Sequence, residues 1–304
     1  MNTAAGLPLP KLSRGRFVHD YSSEAGQDHI FAWTDEALYE ACGVRIAFTE
    51  RTGGVSALPY DSLNLKVPGY SDTLEEPFSP DPFVATNRRI LTSALGCEGI
   101  PIITPNQVHK DTVVSVFSST EASIARAMSE AAAGADAVML DCTGLAALVC
   151  SADCVSLAFV APTCAFTLLH CGWRGVAIHL APKAFTQLVN HASCLPGDIN
   201  IYFGSYIHQE CFGVSEDTAD IFVQEFGSGV LREPMQENLS EYHVDLGAAL
   251  RQDLMGAGAK PERMADIDIC CMCHSDQFFS YRKSAGVCGR HGTFAFRTDL
   301  QGEQ

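Results

Sequence analysis

Three short stretches of this sequence carry a histidine or a cysteine beside a turn or an apolar run. His109 lies in NQVHKD, Cys154 in CSADCVS and His170 in LLHCGWRG. The chain between Cys154 and His170 is about one hairpin long, so adjacent strands could bring these two residues together. Histidine nitrogens and cysteine thiolates are preferred ligands of zinc, and three protein ligands leave a fourth position for water or substrate. The same residues could instead form a cysteine nucleophile with a histidine base, or pack as core side chains.

Polar residues and glycines beside these three could contact a substrate. Gly172 and Gly175 precede a predicted helix, whose first N–H groups could hold an anion together with Arg174. The alternative is that both glycines only form the turn from strand to helix. Asp153, next to Cys154, could orient a histidine or accept a hydroxyl, or could be a turn residue. The sequence has no Walker or Rossmann fingerprint for phosphate binding.

A second cysteine cluster lies in CCMCH, residues 270–274. Cys270 and Cys273 have the C-x-x-C spacing of a metal knuckle, and His274 follows them. A second C-x-x-C pair at the distance that a zinc ribbon needs is missing from the sequence. The pattern therefore leaves two readings open, a separate structural zinc or a strand end with exposed thiols.

Composition narrows the class of partner. Hydrophobic residues make up 47% of the 304 residues, enough for a substantial core. The formal charge of −16 argues against a surface that binds nucleic acid and is compatible with small-molecule substrates. The chain could be a monomer or a homodimer. Every apolar run is shorter than the roughly 18 residues of a membrane span, and the first residues lack the apolar segment of a signal peptide. The 13 cysteines are scattered, so we expect free thiols or ligands in a reducing cytoplasm.

Short strands and amphipathic helices must position these residues. Apolar runs of strand length occur at DAVMLDC, LAALVCSADC, VSLAFVAP and CAFTLLH, and VAIHLAPKAFTQLVNHAS predicts a helix with a kink or a late start at Pro182. Residues 44–65 predict a strand, a Gly-Gly turn and a return strand. Strands and helices mix without strict alternation, which predicts an α+β fold. We expect residues 1–42 to be an N-terminal extension and residues 43–304 to form a single domain.

Several motifs in this order resemble one protein family. They run from about residue 44 to the C-terminus: TERTGGVS, PYDSLNL, NRRIL, QVH, ADC, HCGWRG and FFSYRKSAGVCGR. This set is similar to the bacterial YfiH-type family, whose members were once called multicopper polyphenol oxidases or laccase-domain proteins. The resemblance implies layered mixed sheets with flanking helices, a fold like that of toxin-type cysteine deamidases.

The resemblance also implies an activity and roles for particular residues. It implies that His109, Cys154 and His170 bind zinc and serve catalysis. The reaction would be phosphorolysis of adenosine, inosine and S-methyl-5′-thioadenosine, with adenosine deamination beside it. Contacts to the nucleoside and phosphate are then expected from a set of polar residues, namely Arg174, Arg282, Lys283, Arg51 and Asp153.

Three other functions stay open beside that one. The laccase label implies copper, but two histidines and one cysteine lack the ligand count of a multicopper oxidase, so copper ranks below zinc. A copper-dependent phenol oxidase is therefore the alternative enzyme. A zinc-binding module without activity and a metal-free cysteine hydrolase are the remaining two.

The sequence also departs from the family pattern near the expected site. Cys171 replaces an alanine after the expected ligand His170, and Gly213 replaces a glutamate. The histidine usually found after SLNL is absent from LKVPGYSD, and the usual Arg-Arg pair is Arg282–Lys283. These changes leave the preferred nucleoside less well defined than the family.

Overall fold

The computed structural model describes residues 6–21, 26–66, 81–232 and 242–299, and its strands form two large sheets and one small sheet. The first sheet has the spatial order β1 (Ser13–Val18), β2 (His29–Thr34), β3 (Val44–Thr49), β15 (His291–Arg297), β7 (Ala146–Ser151) and β4 (Ile102–Ile103). The second has the order β14 (Met264–Asp266), β10 (Asn200–Phe203), β8 (Val155–Val160), β9 (Phe166–Cys171), β6 (Ala137–Leu140) and β5 (Val113–Val116). The small sheet consists of β11 (Gly213–Val214), β13 (Tyr242–Val244) and β12 (Leu231–Arg232).

Helices within the described ranges cover these sheets. They are α1 (Glu36–Cys42), α2 (Val84–Ala94), α3 (Glu121–Ala133), α4 (Trp173–Ala177), α5 (Leu180–Ala192), α6 (Glu216–Phe226) and α7 (Leu246–Gly256). Two six-stranded sheets contain both parallel and antiparallel pairs, so the predicted α+β fold with mixed sheets is confirmed. Among the described residues, the search for a helix long and apolar enough to cross a bilayer finds none.

The core lies in three apolar layers. Phe48 of β3 and Leu168 of β9 belong to the layer between the two large sheets. On the outer face of the second sheet, Phe159 packs with Phe185 of α5, and their rings meet edge to face. The outer face of the first sheet packs on α2. Strands β7, β8 and β9 are buried along their whole length, which explains why their sequences are continuous apolar runs.

The turn after β3 and the helix after Gly175 differ in part from the sequence predictions. The return strand expected after Gly53–Gly54 is wrong, because residues 50–66 form turns in which the Arg51 carbonyl accepts from Ser62 N and Leu63 N. The helix expected after Gly175 is divided at His179, which has a left-handed φ of 58°. Pro182 falls in the first turn of α5, where a missing N–H costs no hydrogen bond, so the late start is correct.

Part of the predicted N-terminal extension belongs to the first sheet. Strand β1 pairs with β2, and β2 pairs with β3, both antiparallel. Ile30 of β2 and Leu38 of α1 are fully buried. Residues 13–21 and 26–42 therefore supply one edge of this sheet and part of its core.

Candidate functional site

The structure brings His109, Cys154 and His170 together at one end of the second sheet. Cys154 directly precedes β8, and His170 lies in β9, where it pairs with Ser156 of β8. His109 lies on the loop between β4 and β5 at a left-handed φ of 57°. One ligand atom from each of the three residues lies within 4.8 Å of the other two. The Cys154 thiol is 3.8 Å from His109 Nε2, and the two imidazole rings are 4.8 Å apart at 79°.

Gly172 makes this close approach sterically feasible. A Cβ atom at this position would lie 2.9 Å from His109 Nε2 and 3.1 Å from Cys154 Sγ. Both distances are shorter than normal contacts to a methyl group, and the φ of −67° is open to any residue. The glycine is therefore needed for space beside the site, and its backbone conformation is ordinary.

Asp136 is a fourth member of the site that the sequence analysis did not identify. Its Oδ1 accepts a hydrogen bond from His170 Nδ1 at 2.9 Å, and its side chain is completely buried. Its Oδ2 accepts from the backbone N–H groups of Lys110 at 2.8 Å and Val108 at 3.2 Å. One carboxylate thus fixes the His170 ring and also the backbone on both sides of His109. The signal for it was a lone carboxylate directly before the apolar run AVML, because a charge at such a position must find a partner.

The hydrogen bond to Asp136 also decides which nitrogen of His170 is available. A carboxylate accepts only, so Nδ1 carries a proton, and Nε2 is the nitrogen that can lose its proton and offer a lone pair. The carboxylate–histidine arrangement is the one that orients metal-ligating imidazoles in proteins. The neutral form of His170 is therefore held in the tautomer in which Nε2 can act as a ligand.

The charge state of Cys154 and His170 is set by their contact with each other. Burial alone would raise the pKa of the Cys154 thiol, but His170 and His109 outweigh it and lower that pKa to about 6. Burial would lower the pKa of His170, but the Cys154 thiolate and Asp136 raise it to about 9. In the protein without metal, Cys154 and His170 therefore form a thiolate–imidazolium pair at neutral pH.

Burial differs across the three residues. His170 is buried, Cys154 is half-buried and His109 is partly exposed. Access from solvent is therefore on the side of His109, whereas His170 lies in the buried strand β9.

Asp153 contacts a different part of the chain from Cys154. Its Oδ1 accepts from Ser280 Oγ at 2.6 Å and Cys271 Sγ at 3.0 Å, and its Oδ2 accepts from Arg282 N at 2.6 Å. The Asp153 backbone has a left-handed φ of 94°, and its carbonyl accepts from Ile207 N. Asp153 therefore anchors the segment that carries Arg282 beside the Cys154 end of β8.

The predicted substrate-binding cations occupy different environments. Arg282 and Lys283 are exposed, and Arg282 Nη2 donates to the Gly213 carbonyl at 3.0 Å. Arg174 is an exposed residue of α4, and its guanidinium lies 4.2 Å from the Trp173 ring centroid. Arg51 is held by the backbone carbonyls of Asp61 and Ser275. Three of the four cations therefore present their side chains at the surface, whereas Arg51 ties two loops together.

Gln107 fixes the other end of the His109 loop. Its side-chain Nε2 donates to the Cys150 carbonyl at 2.6 Å, and its Oε1 accepts from Cys150 N at 3.1 Å. Lys66 Nζ donates to the same Oε1 at 2.8 Å, and burial lowers the pKa of this lysine to about 8. The glutamine of the QVH motif thus joins the loop to β7, a role that the motif alone did not indicate.

The chain is similar to proteins that have been named and to structures that have been solved. Residues 45–298 match the family model described as multi-copper polyphenol oxidoreductase laccase. The chain belongs to this family. A purine nucleoside phosphorylase from Deinococcus radiodurans is 32% identical to this laccase-family chain over 246 residues, which are 80% of the chain and 85% of the relative.

Two further relatives have related names. The purine nucleoside phosphorylase YlmD from Geobacillus stearothermophilus is 28% identical over 258 residues, 84% of this chain and 91% of the relative. A protein named adenosine deaminase RL5, from an unknown prokaryotic organism, is 27% identical over 214 residues, 69% of this chain and 80% of the relative.

Two solved structures have the same fold as this chain. The crystal structure of YlmD from Geobacillus stearothermophilus superposes with a TM-score of 0.72 at 27% identity, covering 86% of this chain and 94% of that one. The Bacillus licheniformis hypothetical protein YfiH superposes with a TM-score of 0.74 at 24% identity, covering 88% of this chain and 96% of that one. The predicted YfiH-like fold is thereby confirmed.

Proposed function

We propose that this protein is a zinc-dependent purine nucleoside phosphorylase that acts on adenosine, inosine and S-methyl-5′-thioadenosine and also deaminates adenosine. The observation that carries the proposal is the convergence of His109, Cys154 and His170, with Asp136 behind His170. Relatives named purine nucleoside phosphorylase and adenosine deaminase match most of this chain, which supports a reaction on nucleosides.

The donor set fits a zinc ion. Two imidazoles and one thiol with a low pKa supply nitrogen and sulfur, and three protein donors are the usual number at a catalytic zinc. His109, Cys154 and His170 would hold the ion, which would supply Lewis-acid chemistry to a substrate or water when bound. Asp136 supports this role because it orients the Nε2 lone pair of His170.

Phosphorolysis also needs an anion held near the ribose. An oxygen of phosphate forms a bond to C1′ while the bond from C1′ to the purine nitrogen breaks, and the products are ribose 1-phosphate and the free base. We assign the contacts to phosphate or ribose to three exposed cations, namely Arg282, Lys283 and Arg174. The chain as a whole has a formal charge of −16, so local cations are needed to hold an anion. Asp153 would act by keeping the Arg282 segment in place, since its carboxylate oxygens are already hydrogen-bonded to that segment.

One experiment tests both the metal and the reaction. The metal content of the purified protein is measured by elemental analysis, and the products from adenosine are separated by chromatography with and without phosphate. We expect about one zinc bound to the cluster of His109, Cys154 and His170, hereafter the His109 cluster. Adenine and ribose 1-phosphate should form only when phosphate is present, and some inosine should form in both cases. Oxygen uptake with phenols and bound copper would overturn the proposal in favour of an oxidase.

A pair of variants connects the products to the cluster. Cys154→Ala should lose the metal of this cluster together with product formation, whereas Cys194→Ala removes a half-buried thiol outside it and should change neither. A Cys154→Ala protein that is free of metal at the cluster and fully active would rule out the zinc-dependent reaction.

A further inference from the structure

A second group of cysteines lies outside the cluster described above. We propose that Cys211, Cys270 and Cys273 form a separate binding site for a thiophilic metal ion with a filled d shell, Zn²⁺ or Cu⁺. Their sulfur atoms all lie within 4.8 Å of one another, and the sulfur atoms of Cys211 and Cys273 are 3.4 Å apart. Three sulfur donors at these separations can coordinate one ion with small side-chain adjustments.

Two segments distant in sequence converge to make this group. Cys211 ends a short 3₁₀ turn after β10, whereas Cys270 and Cys273 lie on the turn that follows β14. Tyr206 forms an isolated parallel bridge with Cys270, and its carbonyl accepts from Cys271 N at 3.1 Å. These backbone contacts hold the two segments side by side, so the three thiols are brought together by the fold and not only by the conformations of their side chains.

A hydrogen bond to sulfur is a second observation in favour of a thiolate site. The backbone N–H of His208 donates to the Sγ of Cys270 at 3.4 Å, and Cys270 is buried. Backbone N–H donors of this kind compensate the negative charge on metal-bound thiolates and tune such centres.

A cation at this position would be stabilised by the sulfur atoms around it. Bound as thiolates, the three sulfur atoms would repel one another, and a soft cation between them would offset that repulsion. Cys273 is exposed, so an ion can enter from solvent and keep an open position for water.

The donor chemistry selects the class of ion. The group offers sulfur alone, without carboxylate or imidazole, and such sites prefer Zn²⁺ or Cu⁺ to Mg²⁺ or Ca²⁺. A bound ion would join the turn after β10 to the turn after β14. These turns lead directly to Gly213 and Arg282, which are hydrogen-bonded to each other.

The test uses the full-length Cys154→Ala variant, so that the His109 cluster does not contribute metal. Metal-free, reduced protein is titrated with Cd²⁺, whose bonds to thiolates absorb in the ultraviolet. We expect one equivalent of Cd²⁺ with a sulfur charge-transfer band and the loss of three reactive thiols. Competition with Zn²⁺ and with Cu⁺ under anaerobic conditions then identifies the preferred ion.

Added substitutions locate the site. Cys273→Ser and, separately, Cys211→Ser in the Cys154→Ala background should each abolish the stoichiometric Cd²⁺ band, whereas Cys194→Ser should retain it. Unchanged far-ultraviolet circular dichroism verifies that the variants are folded. The proposal is overturned if Cys154→Ala binds no Cd²⁺, if the band survives both substitutions, or if the isolated protein holds a Cys211–Cys273 disulfide and takes up no metal after reduction. None of these readings depends on nucleoside turnover.

Discussion

Asp136 affects two of the three donors of the His109 cluster through one carboxylate. Its Oδ1 holds Nδ1 of His170, and its Oδ2 holds the backbone on either side of His109. Burial would raise the pKa of this carboxyl, but the hydrogen bond from His170 and its charge outweigh burial and lower it. Asp136 is thus a positioning residue whose loss should change the ionisation of the residues beside it.

Asp136→Asn should shift the pH at which Cys154 reacts with an alkylating agent. Without the carboxylate, His170 holds its proton less tightly, and the Cys154 thiolate loses part of its stabilisation. In metal-free wild-type protein, alkylation should rise as pH increases through about 6, where the thiolate forms. In the variant this midpoint should lie at higher pH, as followed on the Cys154 peptide by mass spectrometry.

Asp141→Asn is the control for that experiment. Asp141 accepts a hydrogen bond from His191 Nε2 at 2.8 Å, so the variant removes a similar Asp–His pair outside the cluster. Its alkylation midpoint at Cys154 should match wild type. Equal midpoints for both variants would contradict the role given to Asp136.

Gly172→Ala should weaken metal binding at the His109 cluster. The added methyl group would press on the His109 ring and on Cys154 Sγ, and we expect affinity to fall by about tenfold or more. Gly229→Ala is the matched control, because a Cβ there has no atom within 4 Å. Zinc affinity, measured by competition with a chelator, should fall only for Gly172→Ala; an unchanged value would show that His109 moves away without cost.

At the scale of elements, neighbouring residues serve different parts of the site. Cys154 faces the two histidines, whereas Asp153 faces the segment from Cys271 to Arg282. The left-handed φ of Asp153 turns the chain between these two directions. The two residues before β8 therefore link the expected metal ligands to the segment that carries Arg282, an expected contact of the phosphate.

Asp153→Asn should loosen the Arg282 segment while the metal stays bound. Asparagine tolerates the left-handed conformation, but its amide has only one oxygen for the three donors that Asp153 satisfies. We expect a stability loss of about 1–3 kcal/mol and a KM for phosphate that rises more than kcat falls. Asp268→Asn, an exposed aspartate with a φ of 55°, is the control and should change neither. Loss of metal in Asp153→Asn would contradict this separation of roles.

The sequence predicted some elements of the site because their determinants are local. His170 ends an apolar run, so its position at the end of a buried strand followed from periodicity. Asp136 could not be found in that way, because its partner His170 is 34 residues away and depends on the pairing of β6 with β9. The same holds for Cys211 and Cys273, which are 62 residues apart in sequence. The sequence therefore predicted residues at the ends of apolar strands, but it could not predict contacts that depend on which distant strands pair.

At the scale of the whole molecule, the described residues before residue 43 (6–21 and 26–42) are joined to the rest through buried contacts. The Tyr202 hydroxyl of β10 donates to Asp35 Oδ2 at 2.9 Å, and both residues are buried. The sequence predicted an N-terminal extension because this stretch is polar and weakly patterned. Among its described residues, Leu38 packs in the layer between the two large sheets, and Ile30 packs on the outer face of the first sheet.

Deleting residues 1–42 should destabilise the protein strongly. The shortened chain would lose the fully buried Ile30 and Leu38, each worth about 1.5–3 kcal/mol, and would expose the edge of β3. We expect aggregation, or a Tm lower by more than ten degrees, in thermal unfolding. Tyr202→Phe, which removes the hydroxyl that donates to Asp35 and accepts from Asn200 Nδ2, should cost about 1–2 kcal/mol. A truncated protein as stable as the full chain would show that the segment is dispensable.

The unequal burial of His109 and His170 has a practical consequence for anyone who isolates the protein. An ion held by these residues would be accessible to solvent on the side of His109 and could exchange without unfolding of the sheet. Exchange of this kind follows the abundance of metals in the surrounding medium as well as the affinity of the donors. The ion found in a preparation will therefore record the growth medium and the buffers, and supplying zinc or copper during expression should change which metal is recovered.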